Sequence, residues 1–247
     1  FYWMVITAIK PNEELLSREG NPFWVINPTL AHIRKLLFDT AYPEWLWNTI
    51  LVSVTATVLS LVCSVLAAYS IERLRFRGSR YVGMAIFLAY LVPPSILFIP
   101  LATMVFQFGL FDTRLALILT YPTFLIPFCT WLLMGYFRSI PFELDEQAMV
   151  DGATRFQAFY RIVLPLAGPG LVAVSVFTFT AAWNELLYAL IFITSPSLQT
   201  VPVAISRLIT GDVFRWGLIM AASMFAALPV MVLYYFAQRF VVQGLAA

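Results

Sequence analysis

Residues 45–71, 81–111, 115–137 and 216–238 contain no Asp, Glu, Lys or Arg, and residues 169–194 carry only Glu185. Each run reaches the ~20 residues that, at about 1.5 Å per residue, cross a hydrocarbon core of roughly 30 Å. In lipid every backbone N–H and C=O must be satisfied inside the protein, so a spanning segment is a helix or part of a closed barrel. These runs lack the alternating polarity of a barrel strand and are read as helices. Composition agrees, with 61% hydrophobic and 11% charged residues against roughly 45–50% and about 25% in a soluble domain.

With an apolar stub at 1–9, too short to cross, the expected fold is an all-α membrane protein of six transmembrane helices, the first truncated. The expected spans are 1–9 (partial), 46–70, 81–106, 115–137, 168–194 and 216–238, and the natural chain is expected to begin further upstream. No linker, low-complexity tract or repeat divides the sequence, so residues 1–247 read as a single transmembrane domain.

Arginine sets the expected orientation. Arg73, Arg75, Arg77 and Arg80 crowd the short segment 72–80, whereas 10–44 dilutes its basic residues among acids. The short basic loop should face the cytoplasm, and with it the 138–165 loop and the C-terminal tail. Segments near 11–44 and 195–215 then face outward. The former reads either as a seat for an external partner or as a cap on the bundle.

The 138–165 loop is amphipathic and reads as two short helices. Pro141 suits a first turn, and Glu143, Asp145 and Glu146 sit where carboxylates favour the positive end of a helix dipole. Leu144, Ala148 and Met149 lie on one side, and Gly152 is placed to end the helix in a left-handed conformation. Thr154 and Gln157 have capping-box spacing at the second helix, and Pro165 is expected to stop it. A helix with a small-residue side and a carboxylate fits a groove on another protein, and equally a lipid surface.

The spacing Glu146-Gln147-Ala148, Gly152, Ile162 and Leu164-Pro165 resembles the EAA loop of ABC importer permeases, with Gln147 in place of the usual small residue. Asn48-Thr49, Ala67-Ala68-Tyr69, Arg73 to Gly78, Trp183-Asn184-Glu185, Pro202 and the tail 238–245 resemble the maltose-type carbohydrate-uptake family, in particular its smaller six-span permease. The resemblance implies a type I importer fold in a bacterial inner membrane. It assigns ATPase coupling to Glu146, Gln147, Ala148, Gly152, Ala153, Ile162, Leu164 and Pro165. It also implies a second permease, two ATPase subunits carrying ATP and Mg, an extracytoplasmic sugar-binding protein and a sugar substrate.

No cofactor is expected on this chain. Its lysines, Lys10 and Lys35, stand outside any phosphate-binding glycine-rich turn, so ATP hydrolysis by P-loop chemistry is excluded. His32 has no array of metal-ligand or catalytic partners in sequence, and no G-x-S-x-G occurs, so neither a metal nor an enzymatic activity is expected. Cys63 and Cys129 sit in apolar runs without C-x-x-C spacing, and the net charge of +2 gives no reason to expect nucleic acid.

Glu185 lies about four residues, or ~6 Å, beyond the middle of its run. A buried acid costs about 2.5–3.5 kcal/mol at a helix centre, so it should face protein or water. Asn184 and Glu185 are therefore candidates for the translocation path, with a purely structural role as the other reading. A secondary transporter or channel using Glu185 as an ion or proton site is the alternative function. Pro93-Pro94, Pro100, Pro122 and Pro127 are expected to kink their spans, for packing or beside a transport site. Trp45, Trp47 and Trp216 fit an interfacial belt.

Overall fold

A computed structural model describes residues 1–17, 21–210 and 213–245, with side chains at all of these except 210, 213–214 and 240–245. The side chains of the tail motif beyond Arg239 therefore lie outside the described residues. The regular structure of the described residues is helical apart from one antiparallel pairing of Ile209–Thr210 with Val213–Phe214. Four helical stretches are long and apolar enough to cross a membrane: Tyr42–Leu74, Arg114–Ser139, Gly168–Phe192 and Trp216–Arg239. The N-terminal stub forms the eight-residue helix Tyr2–Ile9.

The run expected to form one span at 81–106 is broken. Ser79–Tyr90 and Pro94–Gln107 meet at 95°. Pro93 and Pro94 remove two backbone donors, and the residue before a proline is driven from the helical region. The first helix therefore ends in a turn closed by Val92 N–H on Ala89 O (3.2 Å), and a new helix starts with Pro94 in its first turn. Pro100, Pro127 and Pro229, by contrast, are carried inside their helices.

The chain divides into two compact units. The first comprises Phe1–Val52, Met104–Leu117 and Trp183–Leu233. Its core gathers Ala8, Leu36, Tyr42, Val201, Leu218 and Ala222. Tyr42 donates its buried hydroxyl to Ala222 O at 2.7 Å, so its polar end is satisfied. His32 is buried in this unit with Nε2 3.0 Å from Lys10 O. Any Cβ at Gly217 would fall 2.4 Å from that ring, so a larger residue there would have to displace the imidazole. His32 is thus a packed core histidine.

The second unit comprises Ser53–Thr103, Ile118–Ala182 and Tyr234–Ala247. Its core runs through Ala68, Ile71, Leu133, Phe137, Val163 and Val174. Cys129 lies 2.8 Å from the Thr178 hydroxyl, and both cysteines are free thiols. A Cβ at Gly170 would meet the Tyr136 ring at 2.4 Å, so glycine permits the close approach of that ring to the Gly168–Trp183 helix.

Candidate functional site: a capped loop and a broken helix

In the second unit the 138–165 loop folds as two short helices with defined ends. Glu143–Val150 carries Glu143, Asp145 and Glu146 in its first turn, complementing the dipole there. Its far end is a Schellman closure: Gly152 N–H bonds Met149 O (3.1 Å) and Ala153 N–H bonds Ala148 O (2.9 Å). Gly152 has φ +89° with open space around its α-carbon, so the backbone conformation, not crowding, requires glycine. Thr154 and Gln157 form a reciprocal capping box, with N–H to side-chain oxygen distances of 2.8 and 3.3 Å, on Arg155–Ala158.

Pro165 does not end the second helix. The chain widens into a π-helical turn at Phe159–Val163 and continues through Leu164–Leu166, with Pro165 in a first turn. Widening relieves the clash that a proline ring makes with the carbonyl four residues earlier and removes the need for its missing N–H. Ala167 N–H on Val163 O and Leu171 N–H on Ala167 O carry the ladder past it (2.9 and 2.8 Å).

The two faces of the loop differ. Ala148, Ala158, Phe159 and Val163 are buried in the unit, and Leu144 packs on its core. Glu146, Gln147, Asp151 and Gly152 are exposed, as are Val150 (87%), Phe156 (68%) and Met149 (39%). Met149, read from the sequence on one side with Leu144 and Ala148, is therefore parted from them, and the side of Ala148, read as fitting a groove on another protein or a lipid surface, is seated on its own unit. Ile162 and Leu164 are half-buried and Pro165 exposed, while Val163 between them is fully buried. Sequence reasoning passed over Val163, although a β-branched residue flanked by two apolar ones is an ordinary core signal.

Sequence reasoning also passed over what grips the loop. Arg73 is 8% exposed, and its Nη1 lies 3.6 Å from Asp145 Oδ2. The guanidinium carbons of Arg73 and Arg75 stand 4.4 and 4.0 Å from the centre of the Phe142 ring. Tyr69 sets its ring 4.4 Å from that of Phe159. Close by, Arg138 makes a two-pronged pair with Glu72 (2.8 and 3.3 Å).

Asn184 and Glu185 fall in the first unit, at a break in the helical stretch. Gly168–Trp183 stops there, and helix resumes at Leu187–Phe192. Glu185 is thus not on a continuous helix, as its run suggested. Its Oε1 accepts from Tyr188 N–H (2.9 Å) and its Oε2 from Ala189 N–H (3.1 Å). These donors belong to the first turn of the new helix, where N–H groups lack partners within the helix and the dipole favours an anion. Trp183, next to the break, donates to Ala226 O at 3.2 Å. Asn184 is exposed and lines a cavity of about 420 Å³ together with Trp183, Val201, Pro202, Ser223 and Met231.

The same unit explains three other marked residues. Asn48 donates to Ser197 O and Gln199 O (2.8 and 3.0 Å), and Thr49 accepts from Val201 N–H (2.8 Å). Trp45 donates to Pro196 O at 2.7 Å, a tertiary role beyond an interfacial belt. Asp112, which the sequence did not single out, has φ +59°, accepts from Thr194 and Ser195 N–H at 2.9 Å each, and pairs with the Ser195 hydroxyl. Among the described residues no His, Cys, Asp and Glu gather in a metal-binding group.

A multi-pass helical membrane protein with a capped amphipathic loop between two spanning stretches has the make-up of a transport permease. Residues 60–247 match the family described as "Binding-protein-dependent transport system inner membrane component", and the chain belongs to it. Its relatives include the inner membrane ABC transporter permease protein YcjP of Escherichia coli, 34% identical across 100% of this chain and 89% of that protein. The diacetylchitobiose uptake system permease DasC of Streptomyces coelicolor is 35% identical over the same shares. The trehalose/maltose transport system permease MalG of Thermococcus litoralis is 32% identical, again over 100% and 89%.

Among solved structures, a chain of a bacterial ABC transporter that imports the acidic polysaccharide alginate matches with a TM-score of 0.84 at 20% identity, over 97% of this chain and 89% of that one. A chain of the MetNI methionine ABC transporter matches at 0.65 and 18% identity, over 85% and 97%. At those identities the likeness is one of fold, and it supports the type I importer architecture expected from the EAA-like spacing. The relatives are named as permeases, in keeping with a transport subunit rather than an enzyme.

Proposed function

We infer that this chain is one of two permeases in an ATP-driven carbohydrate importer, and that its 138–165 loop docks on a separate ATPase subunit. The observation that carries the reading is the division of the loop into a seated face and a presented one. Ala148, Phe159 and Val163 fix it to its own unit, while Glu146, Gln147, Val150 and Gly152 are left exposed on and just after a helix whose C-terminal end is closed by backbone hydrogen bonds. A rigid, pre-ordered knob binds a groove with little ordering cost, which suits repeated force transmission. Glu146 supplies a polar anchor, small Ala148 lets the helix sit close to its own unit, and Gly152 with Ala153 makes the bend. The helical link through Ile162, Leu164 and Pro165 then passes ATPase closure to the adjoining spans.

ATP and Mg belong to the ATPase in this scheme, and no cofactor resides on the permease. The cluster of arginines at 72–80 supports a cytoplasmic loop and C-terminus in this scheme. A second permease, a pair of ATPases and an extracytoplasmic sugar-binding protein complete the assembly. Named substrates of the relatives, diacetylchitobiose and trehalose or maltose, support a sugar as cargo. The cavity bordered by Asn184 and Ser223 is the candidate route on this chain, with Asn184 as its polar contact. The rival reading, in which Glu185 is an ion or proton site, is disfavoured because both of its oxygens already accept backbone N–H groups.

Expressed with its neighbouring transport subunits, the tagged chain should co-purify an ATPase and support sugar uptake that vanadate blocks. Uptake that persists without any ATPase would reject the reading.

A further inference from the structure

The loop has a second attachment to its unit, distinct from the link through Ile162–Pro165. The stretch Tyr42–Leu74 finishes in a π-helical turn, Ser70–Leu74, and Arg75 leaves it in a left-handed conformation at φ +44°. Tyr69 and Arg73, four residues apart at this end, each hold one of the two loop helices. Tyr69 packs on Phe159 with ring centres 4.4 Å apart and sets its hydroxyl 3.4 Å from Arg155 O. Arg73 faces Asp145 at 3.6 Å and the Phe142 ring at 4.4 Å, both at the start of Glu143–Val150.

The Arg73 side chain is only 1% exposed and that of Asp145 only 13%. None of the three guanidinium nitrogens, nor Asp145 Oδ1, has a hydrogen-bond partner among the described residues. Asp145 is therefore the carboxylate that faces the buried Arg73, and separating the two would leave the guanidinium buried without its ionic partner. Such a pair resists being pulled apart much more than a solvated surface pair does. When the loop is displaced, the end of Tyr42–Leu74 should move with it.

We propose that Arg73, with Tyr69 beside it, is a positioning residue that clamps the coupling helix to the cytoplasmic end of the Tyr42–Leu74 stretch and makes that stretch a second output of ATPase motion. This rests on the docking reading above. Its physical content is that 69–74 and 143–158 form one body throughout the transport cycle.

The test uses the full complex reconstituted in nanodiscs with sugar-binding protein, comparing wild type, Arg73→Met, Asp145→Asn, Arg73→Lys and the exchange Arg73→Asp with Asp145→Arg. The expected result is that each single uncharged variant still retains its ATPase subunits but transports about tenfold less sugar per ATP hydrolysed, within the usual range of coupling between sites. Arg73→Lys and the exchanged pair should recover part of that loss, which a merely misfolded loop would not do. Unchanged sugar per ATP in both single variants would overturn the clamp while leaving docking intact. A wild-type complex that holds no ATPase would instead overturn the docking reading.

A second measurement does not depend on those variants folding well. Spin labels at Arg77→Cys and Val150→Cys, with Cys63 and Cys129 replaced by serine, report the distance between the basic loop and the coupling helix. One narrow distance with and without ATP supports a single body. A distance that shifts on ATP binding overturns it.

Discussion

The 143–165 loop and the break at 184–186 both interrupt the helical ladder, and they are closed by opposite means. The loop is closed by its own neighbours: Gly152 turns the backbone, Ala153 returns a hydrogen bond to Ala148, and Thr154 and Gln157 satisfy each other. The break is closed by one ionisable side chain, with Glu185 spending both oxygens on the next helix. A locally closed segment can move as a unit without exposing unpaired groups. A carboxylate-closed break is strong only while the carboxylate is charged and in place.

The comparison can be broken most sharply at Gly152. Gly152→Asp should leave membrane insertion and ATPase activity in place while sugar uptake falls about tenfold or more, because the exposed bend is altered and not the seated face. Normal uptake by this variant would remove the loop's assigned role. Glu185→Gln probes the other closure. It keeps one acceptor and loses the charge, so it should cost about 1.5–3 kcal/mol of stability, read as a lowered thermal midpoint of the purified protein. A Glu185→Gln protein of unchanged stability but altered pH dependence of uptake would instead revive the ion-site reading.

Asp112 offers a third closure, outside the spans, and one sensitive to acid. The Ser195 hydroxyl, followed by the backbone N–H groups of Ser195 and Thr194, holds its carboxyl below the usual carboxylate range. A depressed folded pKa contributes stability that is complete above the unfolded value, near 3.9, and disappears as pH falls through the folded value. Wild type should therefore lose this increment only below about pH 4, whereas Asp112→Asn should lack it at neutral pH and show a flatter acid limb. Equal acid limbs in the two proteins would show that the 108–113 and 193–195 segments are held by other contacts. The smallest effect is expected at Thr154→Ala, about 1 kcal/mol, seen as faster amide exchange over residues 155–158 with uptake little changed.

These contrasts also mark what the sequence could disclose. Gly152 and the Thr154–Gln157 pair were legible because glycine at a helix end and a capping box are local, short-range chemistry. Four apolar helical stretches, near 46–70, 115–137, 168–194 and 216–238, were legible because absence of charge over twenty residues has few physical explanations. The proline pair at 93–94 gave a kink but not a 95° turn, since the direction of a bend depends on what each half packs against. Pro165 was misread because a proline at a helical start and one at a helical end look alike until the widened turn before it is seen. Arg73 and Asp145 are 72 positions apart, and nothing short of the fold brings them together. Glu185 was recognised as costly to bury, yet its partners appear only once the helix is known to stop at Trp183.

The central claim is that the exposed side of Glu143–Val150 rests on an ATPase. A photo-activatable residue at Val150, 87% exposed at the end of that helix, tests it directly in the assembled complex. Cross-linking to the nucleotide-hydrolysing subunit, strengthened or weakened by ATP, is the result expected. Cross-links to lipid alone, in a complex that still transports sugar, would contradict the account.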